Sequence, residues 1–285
     1  MSAEPKQLSA GLYLVATPIG AARDVTLRGL DVLASADVLA AEDTRSLRHL
    51  MDIHGVPLRG RRVLAYHDHN GPQARPRLLA ALAEGKSVAY ASEAGTPLVA
   101  DPGYQLAREA AAAGHRVTTA PGASAVLAAL TVAGLPTDRF LFAGFPPASK
   151  GARAGWLTEL RDVPATLVLY ESPRRVARLL AEAAEVLGGD RPAALCRELT
   201  KRFEEVRRGS LAELAGAMAG TPVKGEVVVV LGRGAPTARA GDLENALAGA
   251  LREMSVKDAA ASVAEALGLP RREVYQAALR LQRPR

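Results

Sequence analysis

The chain has 285 residues, of which 48% are hydrophobic and 23% charged, as in a globular protein large enough for two domains. No apolar run reaches the roughly 18 to 20 residues that cross a bilayer, and the N-terminal sequence lacks the apolar core of a signal peptide, so we expect a cytoplasmic protein with no membrane partner. The single cysteine, Cys196, excludes an internal disulfide and argues against a thiolate metal cluster. The net charge of +6 permits an anionic partner such as nucleic acid but does not require one.

Short apolar, β-branched runs alternate with amphipathic helical patterns through most of the chain. The predicted strands are Leu12–Ala16, Asp37–Ala41, Val63–Tyr66, Val88–Ala91, Arg116–Thr119, Phe140–Gly144, Thr166–Tyr170, Ala193–Arg197, Glu204–Arg208 and Glu226–Gly232. The predicted helices between them include Leu27–Ala34, Arg77–Ala83, Gln105–Ala113 and Arg175–Leu187. This alternation predicts an α/β fold.

The domain boundary is predicted near residue 136, where Gly, Pro and Asp cluster in Gly134–Phe140. It separates an N-terminal α/β domain, residues 1–136, from a second α/β domain, residues 137–235. In the second domain the strands near residues 193 and 204 are separated by very few residues. This spacing predicts a hairpin, and therefore a mixed rather than a wholly parallel sheet.

A basic C-terminal segment, residues 241–285, follows the Gly- and Ala-rich loop Gly232–Gly241. Leu243–Glu253, Val256–Leu267 and Arg271–Leu281 are predicted to be helices. The last fifteen residues hold five arginines and one acid. A helix, a short Gly-containing turn and a basic helix are typical of a helix-turn-helix, and a helical cap over the second domain is the alternative.

The loop Ser92–Gly103, with the sequence SEAGTPLVADPG, is the most informative stretch. It follows a predicted buried strand and precedes a helix that starts near Tyr104. Glycine admits a ligand close to the backbone, and proline sets the loop's shape in advance. Because loops at the carboxyl ends of parallel strands hold ligands in open α/β sheets, this loop predicts a binding site. An ordinary turn would need only about two to six residues.

Polar motifs follow the other predicted strands of the first domain. Thr17–Gly20 has one glycine, which disfavours the Gly-rich turn of a dinucleotide site. Ala41–Arg45 is either a charged cleft lining or a helix cap by Asp43 or Thr44. In His67–Asn70 the His-x-His spacing could bind a metal, but no third ligand group is evident. Two interpretations of this motif stay open: a base or substrate contact, and a solvated loop. Pro121–Ser124 opens a helix, and its N–H groups suit an anion.

The second domain carries three clusters of opposite charges near predicted strand ends. They lie in Tyr170–Arg175, Arg197–Lys201 and Lys224–Glu226. As surface salt bridges they would each contribute about 1 kcal/mol or less. Three such clusters on one domain suggest a functional surface.

Taken in order, these motifs resemble the tetrapyrrole methylase-like superfamily, the class III S-adenosylmethionine-dependent methyltransferases. Within it the chain is similar to the ribosomal RNA small subunit methyltransferase I family, whose members methylate the ribose 2′-hydroxyl of a cytidine in the decoding region of 16S rRNA. The resemblance covers about residues 11 to 232. The chain departs from the family pattern at Glu93 for Asp, Ala21-Ala22 for Asn-Leu, Pro146 for Leu and Arg174 for a frequent His.

The resemblance implies two α/β domains with an S-adenosylmethionine cleft between them, a small C-terminal three-helix segment, and a homodimer. By position, the cofactor would be surrounded by Pro18, Ala94, Gly95, Thr96, Asp101, Ser124, Ala125 and Tyr170. No metal is implied. The partner would be 16S rRNA in the small ribosomal subunit.

Methyl transfer to a ribose hydroxyl needs a proton acceptor, for which the candidates are Glu42, Asp43, His67 and Glu171, with Glu171 or Asp43 favoured. The side chains expected to hold the RNA are Arg45, Arg174, Arg197, Lys201, Arg271 and Arg272. Two alternatives stay open: a methylase of a tetrapyrrole or another small molecule, and a non-catalytic RNA-binding factor of ribosome assembly.

Overall fold

A computed structural model describes residues 7–67, 69–234, 240–267 and 269–282. The first sheet has five parallel strands in the order β3-β2-β4-β1-β5. Its strands are β1 (Gly11–Val15), β2 (Val38–Ala41), β3 (Val63–Ala65), β4 (Ser87–Ala91) and β5 (Val117–Ala120). The helices that connect them, and the helix that follows β5, are α1 (Leu27–Ser35), α2 (Thr44–Ile53), α3 (Gly71–Ala83), α4 (Tyr104–Ala112) and α5 (Ala125–Ala133).

The central strands of this sheet are buried on both faces. Every residue of β1 and β4 is buried, because α1 and α2 pack on one face of the sheet and α3 and α4 on the other. Since all strands run in one direction, their carboxyl ends meet at one edge. That edge brings together the loops after β1, β2, β4 and β5.

The second sheet has the strand order β6-β7-β10-β8-β9. Its strands are β6 (Phe140–Gly144), β7 (Thr166–Glu171), β8 (Pro192–Arg197), β9 (Glu205–Ser210) and β10 (Val227–Leu231). Only the β6–β7 pair is parallel, and β8 and β9 form an antiparallel hairpin. The predicted hairpin and mixed sheet are thus confirmed.

The two faces of the second sheet are covered by different parts of the chain. Helices α6 (Lys150–Leu160), α7 (Val176–Leu187) and α8 (Leu211–Met218) pack on one face. The other face packs against α5, whose Val126, Ala129 and Leu130 share a core with Val228 and Val230. Helix α5 therefore connects the two sheets, because it follows β5 of the first sheet and packs against the second.

The C-terminal segment consists of α9 (Ala240–Ala250), α10 (Val256–Leu267) and α11 (Arg271–Gln282). These helices share a separate apolar core around Leu247, Val263 and Val274. Residues 235–239 of the predicted loop before them lie outside the described residues. We propose domain limits at 1–136, 137–235 and 241–285, because each of these ranges contains one sheet or one of these separate cores.

The α/β prediction is confirmed, and each predicted strand is present with bounds shifted by at most two residues. Helices α6 and α8 were not predicted, and α3 begins at Gly71 rather than Arg77. Proline explains the second difference, because Pro72 is compatible with a first helical turn and Pro76 sits within the helix. Among the described residues, no helix is both long and apolar enough to cross a membrane.

Candidate functional site

A cavity of about 390 Å³ lies between the edges of the two sheets. It is lined by loops that follow β1, β2, β4, β5 and β6, by the end of β7 and the loop after it, and by the start of β10. The lining residues are Ile19, Glu42, Glu93, Ala94, Gly95, Thr96, Val99, Ala100, Ser124, Ala125, Phe145, Tyr170, Glu171, Ser172, Pro173, Glu226, Val227 and Val228. Six of the eight residues predicted to contact a cofactor are among them. Pro18 and Asp101 do not line the cavity, although their neighbours Ile19 and Ala100 do.

The Ser92–Gly103 loop folds back onto the end of β1. Thr17 and Gly95 exchange two backbone hydrogen bonds of 3.0 Å each. Gly95 has a φ of 81°, and the non-glycine residues Leu98 and Ala100 have φ values of 70° and 57°. Left-handed backbone at two non-glycine residues stores strain that the surrounding structure must hold in place. The loop is therefore a rigid, shaped wall rather than a simple connection.

The loop is also tied to the start of α5. The Thr96 hydroxyl donates to the Ala123 carbonyl at 2.9 Å. Ser124 is the N-cap residue of α5, but its hydroxyl makes no capping hydrogen bond. Ser124 and Ala125, at the start of α5, form part of the cavity wall.

Carboxyl groups are the main charged groups of the cavity, where Glu42, Glu93, Glu171 and Glu226 all contribute to the lining. Burial raises the pKa of Glu42 above its usual value, and the nearby charges of Asp101 and Glu93 add to this effect. The Glu93 amide opposes it by donating to Glu42 Oε2 at 3.1 Å. Glu42 is therefore able to bind a proton at a higher pH than an ordinary glutamate.

Asp101 lies behind this wall. Its Oδ1 accepts hydrogen bonds from the Tyr90 hydroxyl at 2.9 Å and the Gly103 amide at 2.7 Å. Its Oδ2 is buried, and no donor among the described residues reaches it. A side-chain hydrogen bond with Asp101 also raises the pKa of Glu42.

Glu171 enters the cavity from the end of β7 with its carboxylate already paired. Its side chain is 1% exposed, and Oε1 accepts from Arg175 Nη2 at 2.6 Å and from the Ser172 amide at 2.6 Å. The favoured candidate base thus has one oxygen committed to a guanidinium and an amide. This arrangement positions Ser172 and Pro173 at the cavity edge.

An aromatic cluster forms the side of the cavity that belongs to the second sheet. The Tyr170 ring lies 4.7 Å from that of Phe142 and 5.5 Å from that of Phe145, both edge to face. Burial raises the pKa of the Tyr170 phenol, which keeps it neutral. Sequence reasoning missed Phe145 as a site residue, although the next residue, Pro146, was noted as a departure from the family pattern.

The loop that carries Phe145 is held by a buried ion pair. Arg153 binds Glu182 through two hydrogen bonds of 2.6 and 2.8 Å. The same guanidinium donates to the carbonyls of Pro147 and Ala148, each at 2.9 Å. Arg153 therefore links the core of the second domain to the loop that begins at Phe145.

Two predicted candidates for the base lie outside the cavity wall. Asp43 caps α2, because its Oδ1 accepts from the amides of Arg45 at 2.7 Å and Ser46 at 3.3 Å, which lowers its pKa. The cap alternative for Asp43 is therefore the one observed. The His67 ring packs 6.1 Å from the His69 ring. No group of three or more metal-ligating side chains occurs in the described part of the chain, and Asp68 lies outside it.

The predicted RNA-binding side chains occupy different settings. Arg45, Arg174, Arg271 and Arg272 are exposed, and Arg174 follows the cavity residue Pro173. Arg197 pairs with Glu205 at 3.1 Å. Lys201 is bound by two carboxylates, Glu198 at 3.0 Å and Glu226 at 2.9 Å. Lys201 thus contacts the cavity residue Glu226, but its charge is already paired with two carboxylates.

Comparisons with known proteins agree with this architecture. Residues 11–215 match the family model of tetrapyrrole (corrin/porphyrin) methylases, and residues 237–282 match a model described as the RsmI C-terminal HTH domain. The second match favours the helix-turn-helix alternative for the C-terminal segment. Among solved structures, the methyltransferase CobJ has a TM-score of 0.62 at 20% identity, covering 80% of this chain and 95% of that one. Uroporphyrin-III-C-methyltransferase from Thermus thermophilus has a TM-score of 0.56 at 24% identity, covering 78% and 94%.

Curated relatives are similar over nearly their whole length. A protein of Mesorhizobium japonicum named ribosomal RNA small subunit methyltransferase I is 50% identical, with 97% of this chain and 94% of the relative covered. A Mycobacterium tuberculosis protein of the same name is 45% identical, with 96% of each covered. By its two domain models and these relatives, the chain belongs to the ribosomal RNA small subunit methyltransferase I family of the tetrapyrrole methylases.

Proposed function

We propose that this chain transfers a methyl group from S-adenosylmethionine to the ribose 2′-hydroxyl of a cytidine in the decoding region of 16S rRNA. The observation that carries the proposal is the cavity between the two sheets, walled by the strained Ser92–Gly103 loop. The names of the relatives support the RNA substrate. We also propose a homodimer in the cytoplasm, where ribosomal RNA is available.

The cavity fits S-adenosylmethionine in size and charge. Its volume of about 390 Å³ lies in the usual range of about 300 to 1,000 Å³ for small-molecule sites. Four glutamates in the lining complement the net positive charge of the cofactor. The aromatic cluster around Tyr170 offers apolar area. The residues that would hold the cofactor are Ala94, Gly95, Thr96, Ser124, Ala125 and Tyr170, supported from behind by Pro18 and Asp101.

When bound, the cofactor supplies a methyl group that the sulfonium has already activated. The protein's own contribution is then to align the ribose hydroxyl and accept its proton, and positioning alone can lower a barrier by roughly 7 to 11 kcal/mol. A proton acceptor works best when its pKa is near the working pH. Glu42 lines the cavity and has a raised pKa, so we propose Glu42 as the general base.

The other three candidates are less well placed. Glu171 shares the cavity, but one carboxylate oxygen is committed to Arg175 and the Ser172 amide. Asp43 is occupied as a helix cap with a lowered pKa. His67 does not contribute to the cavity wall. We propose that Glu171 instead positions the cavity edge formed by Ser172 and Pro173.

Exposed arginines would contact the RNA backbone. Arg174 at the cavity edge is placed to hold a phosphate near the target nucleotide, and Arg271 and Arg272 would add contacts from the start of α11. Such contacts position the nucleic acid and weaken with salt. An enzyme that acts on a ribose in folded RNA also needs an accessible, poorly stacked nucleotide.

The decisive experiment is mass-spectrometric mapping of 16S rRNA from cells with and without this gene. We expect one cytidine of the decoding region to lose a 2′-O-methyl group when the gene is absent. Wild-type chain should restore it, and Glu42→Gln should not, although Glu42→Gln should still bind S-adenosylmethionine in calorimetry. If the Glu42 variant restores full methylation and Glu171→Gln does not, Glu171 is the base.

The same rRNA mapping and calorimetry also distinguish the two alternative functions. A tetrapyrrole methylase would leave the rRNA unchanged and methylate a porphyrinoid substrate in vitro. A non-catalytic assembly factor would bind RNA and show no S-adenosylmethionine binding in calorimetry.

A further inference from the structure

The turn between β8 and β9, residues 198–204, has an unusual backbone. Two of its non-glycine residues, Glu198 and Thr200, have φ values of 51° and 64° in the left-handed region. Such conformations persist only where neighbouring groups hold them, and they concentrate at functional sites. We refer to residues 198–204 as the β8–β9 turn.

The β8–β9 turn is fastened to the start of β10. The Glu198 amide donates to the Glu226 carbonyl at 2.9 Å, and the Glu226 amide donates to Glu198 Oε1 at 2.9 Å. Lys201 bridges both carboxylates at 3.0 and 2.9 Å. A Cβ on Gly225, whose φ is 85°, would lie 2.4 Å from Glu198 Cδ, so only glycine leaves room for this side chain. Because Glu226 lines the cavity, the turn is fixed at the cavity wall.

The same turn is also fastened to the first domain. Thr200 Oγ1 accepts a hydrogen bond from the Ala21 amide at 3.1 Å. The two segments are so close that a Cβ on Gly20 would lie 2.5 Å from Lys201 Cγ. Ile19, one residue earlier, lines the cavity. The β8–β9 turn therefore touches both domains at the edge of the cavity.

The tip of this anchored turn presents an aromatic ring to solvent. Phe203 is 62% exposed, more than any other aromatic side chain in the described residues. The Arg202 guanidinium lies 5.4 Å from the centre of its ring. Since Phe203 follows Lys201 by two residues, their Cα atoms are within about 7 Å of each other. An exposed ring with an arginine beside it thus follows a lysine that is bound to the cavity residue Glu226.

We propose that Phe203 and Arg202 form a stacking platform for an unpaired RNA base next to the methylated nucleotide. This inference rests on the proposed function and adds a contact for its substrate. Any nucleobase can stack on an aromatic face, and arginine contributes a cation–π contact or binds phosphate. Leu199 is buried, so the turn exposes one ring and no wider apolar patch. One ring matches a base better than a protein partner, which would need a far larger apolar surface.

Because the turn is anchored to both domains, a base stacked on it would be held at a fixed distance from the cavity. That distance would determine which neighbouring ribose reaches the cofactor. Lys201 then acts as a positioning residue for the turn rather than as a phosphate ligand. The acids Glu204 and Glu205 flank the platform, and Glu205 is paired with Arg197 and Arg207. Arg202 has no carboxylate partner among the described ion pairs and so keeps its charge available for RNA.

The test measures binding of small ribosomal subunits from cells that lack this gene to purified full-length chain. We expect Phe203→Ala to weaken binding about tenfold, Phe203→Leu to do the same, and Phe203→Trp to retain wild-type affinity. Arg202→Gln should reduce the slope of log binding constant against log salt concentration by about the amount expected for the loss of one phosphate contact. Calorimetric affinity for S-adenosylmethionine should not change in any variant. Ile53→Ala, which removes an exposed side chain at the end of α2, is the control.

The outcomes separate this inference from the proposed function. If wild-type chain neither binds nor methylates small subunits, the proposed function fails. If it methylates them and Phe203→Ala binds them as tightly as wild type, the platform is wrong. Full affinity in Phe203→Leu also overturns it, because stacking would then be unnecessary. A change in oligomeric state in Phe203→Ala, seen by analytical ultracentrifugation with unchanged RNA affinity, would assign the ring to a second copy of the chain instead.

Discussion

Replacing Glu182 by glutamine should destabilise the second domain strongly, because it leaves a buried guanidinium without its counter-ion. The Arg153 side chain is 2% exposed and that of Glu182 is 10% exposed. Breaking a buried pair by removing one partner costs about 3 to 5 kcal/mol. Glutamine keeps the shape and one acceptor oxygen of Glu182, so we expect a loss near the lower end, about 3 kcal/mol.

The assay is chemical denaturation followed by the fluorescence of Trp156. This is the only tryptophan of the chain, and it lies on α6 packed against the core of the second domain. The matched control is Glu185→Gln, which makes the same change at an exposed position of α7 and should stay within about 0.5 kcal/mol of wild type. Because Arg153 also holds Pro147 and Ala148, Glu182→Gln should weaken S-adenosylmethionine binding through the Phe145 loop.

The pH dependence provides an independent check. The hydrogen bonds from Arg153 lower the pKa of Glu182 from its ordinary value of 4.5. A carboxyl group with a lowered folded pKa contributes stability above its unfolded pKa and loses that contribution as the pH falls through the folded value. The difference in unfolding free energy between wild type and Glu182→Gln should therefore be full near neutral pH and shrink below about pH 4.5. A difference under about 1 kcal/mol at neutral pH, or one that grows in acid, would refute the reasoning.

Three further predictions concern the site. Gly95→Ala should lower S-adenosylmethionine affinity in calorimetry about tenfold, because alanine is strained at a φ of 81° and its Cβ would lie 3.3 Å from Ile19; unchanged affinity would contradict a close approach of ligand to this backbone. The rate of methyl transfer should fall as the pH drops through the raised pKa of Glu42, and this acid limb should vanish from the residual activity of Glu42→Gln; an identical pH profile would exclude Glu42 as the base. Deleting residues 240–285 should weaken RNA binding and its salt dependence while cofactor affinity stays nearly constant; equal RNA affinity would make the segment a cap alone.

Local patterns in the sequence predicted most of the fold. The periodicity of apolar residues predicts the alternation of strands and helices. The short buried runs in Val88–Ala91 and Glu226–Gly232 could therefore be recognised as strands without knowing which strands they pair with. Helix α8 was missed although its own pattern indicates a helix, with a Ser210–Glu213 capping box and buried residues at helical spacing. Helix α6 was missed because its burial depends on its surroundings. In α6 the decisive core residue is Arg153, whose burial depends on Glu182 twenty-nine positions later.

The candidate site was predicted in outline for a related reason. Glycine and proline in Ser92–Gly103 restrict the backbone locally, so this loop could be identified as a binding wall from the sequence. The sequence could not rank the four candidate bases, because their ranking depends on burial and on charges that other loops bring close. Glu42 acquires its raised pKa mainly from burial, with the charges of Asp101 and Glu93 adding to it, while one oxygen of Glu171 is bound to Arg175.

The sequence by itself therefore determined the two α/β units, the family and the loops that form the cavity, because these depend on local periodicity and on short motifs. Only the tertiary structure decided what each charged group does there. It paired Lys201 with Glu198 and Glu226, made Asp43 a helix cap, and left the Phe203 ring exposed to solvent on the β8–β9 turn. The physical reason is that charge, hydration and hydrogen bonding depend on distances between segments far apart in the chain, which no local pattern contains.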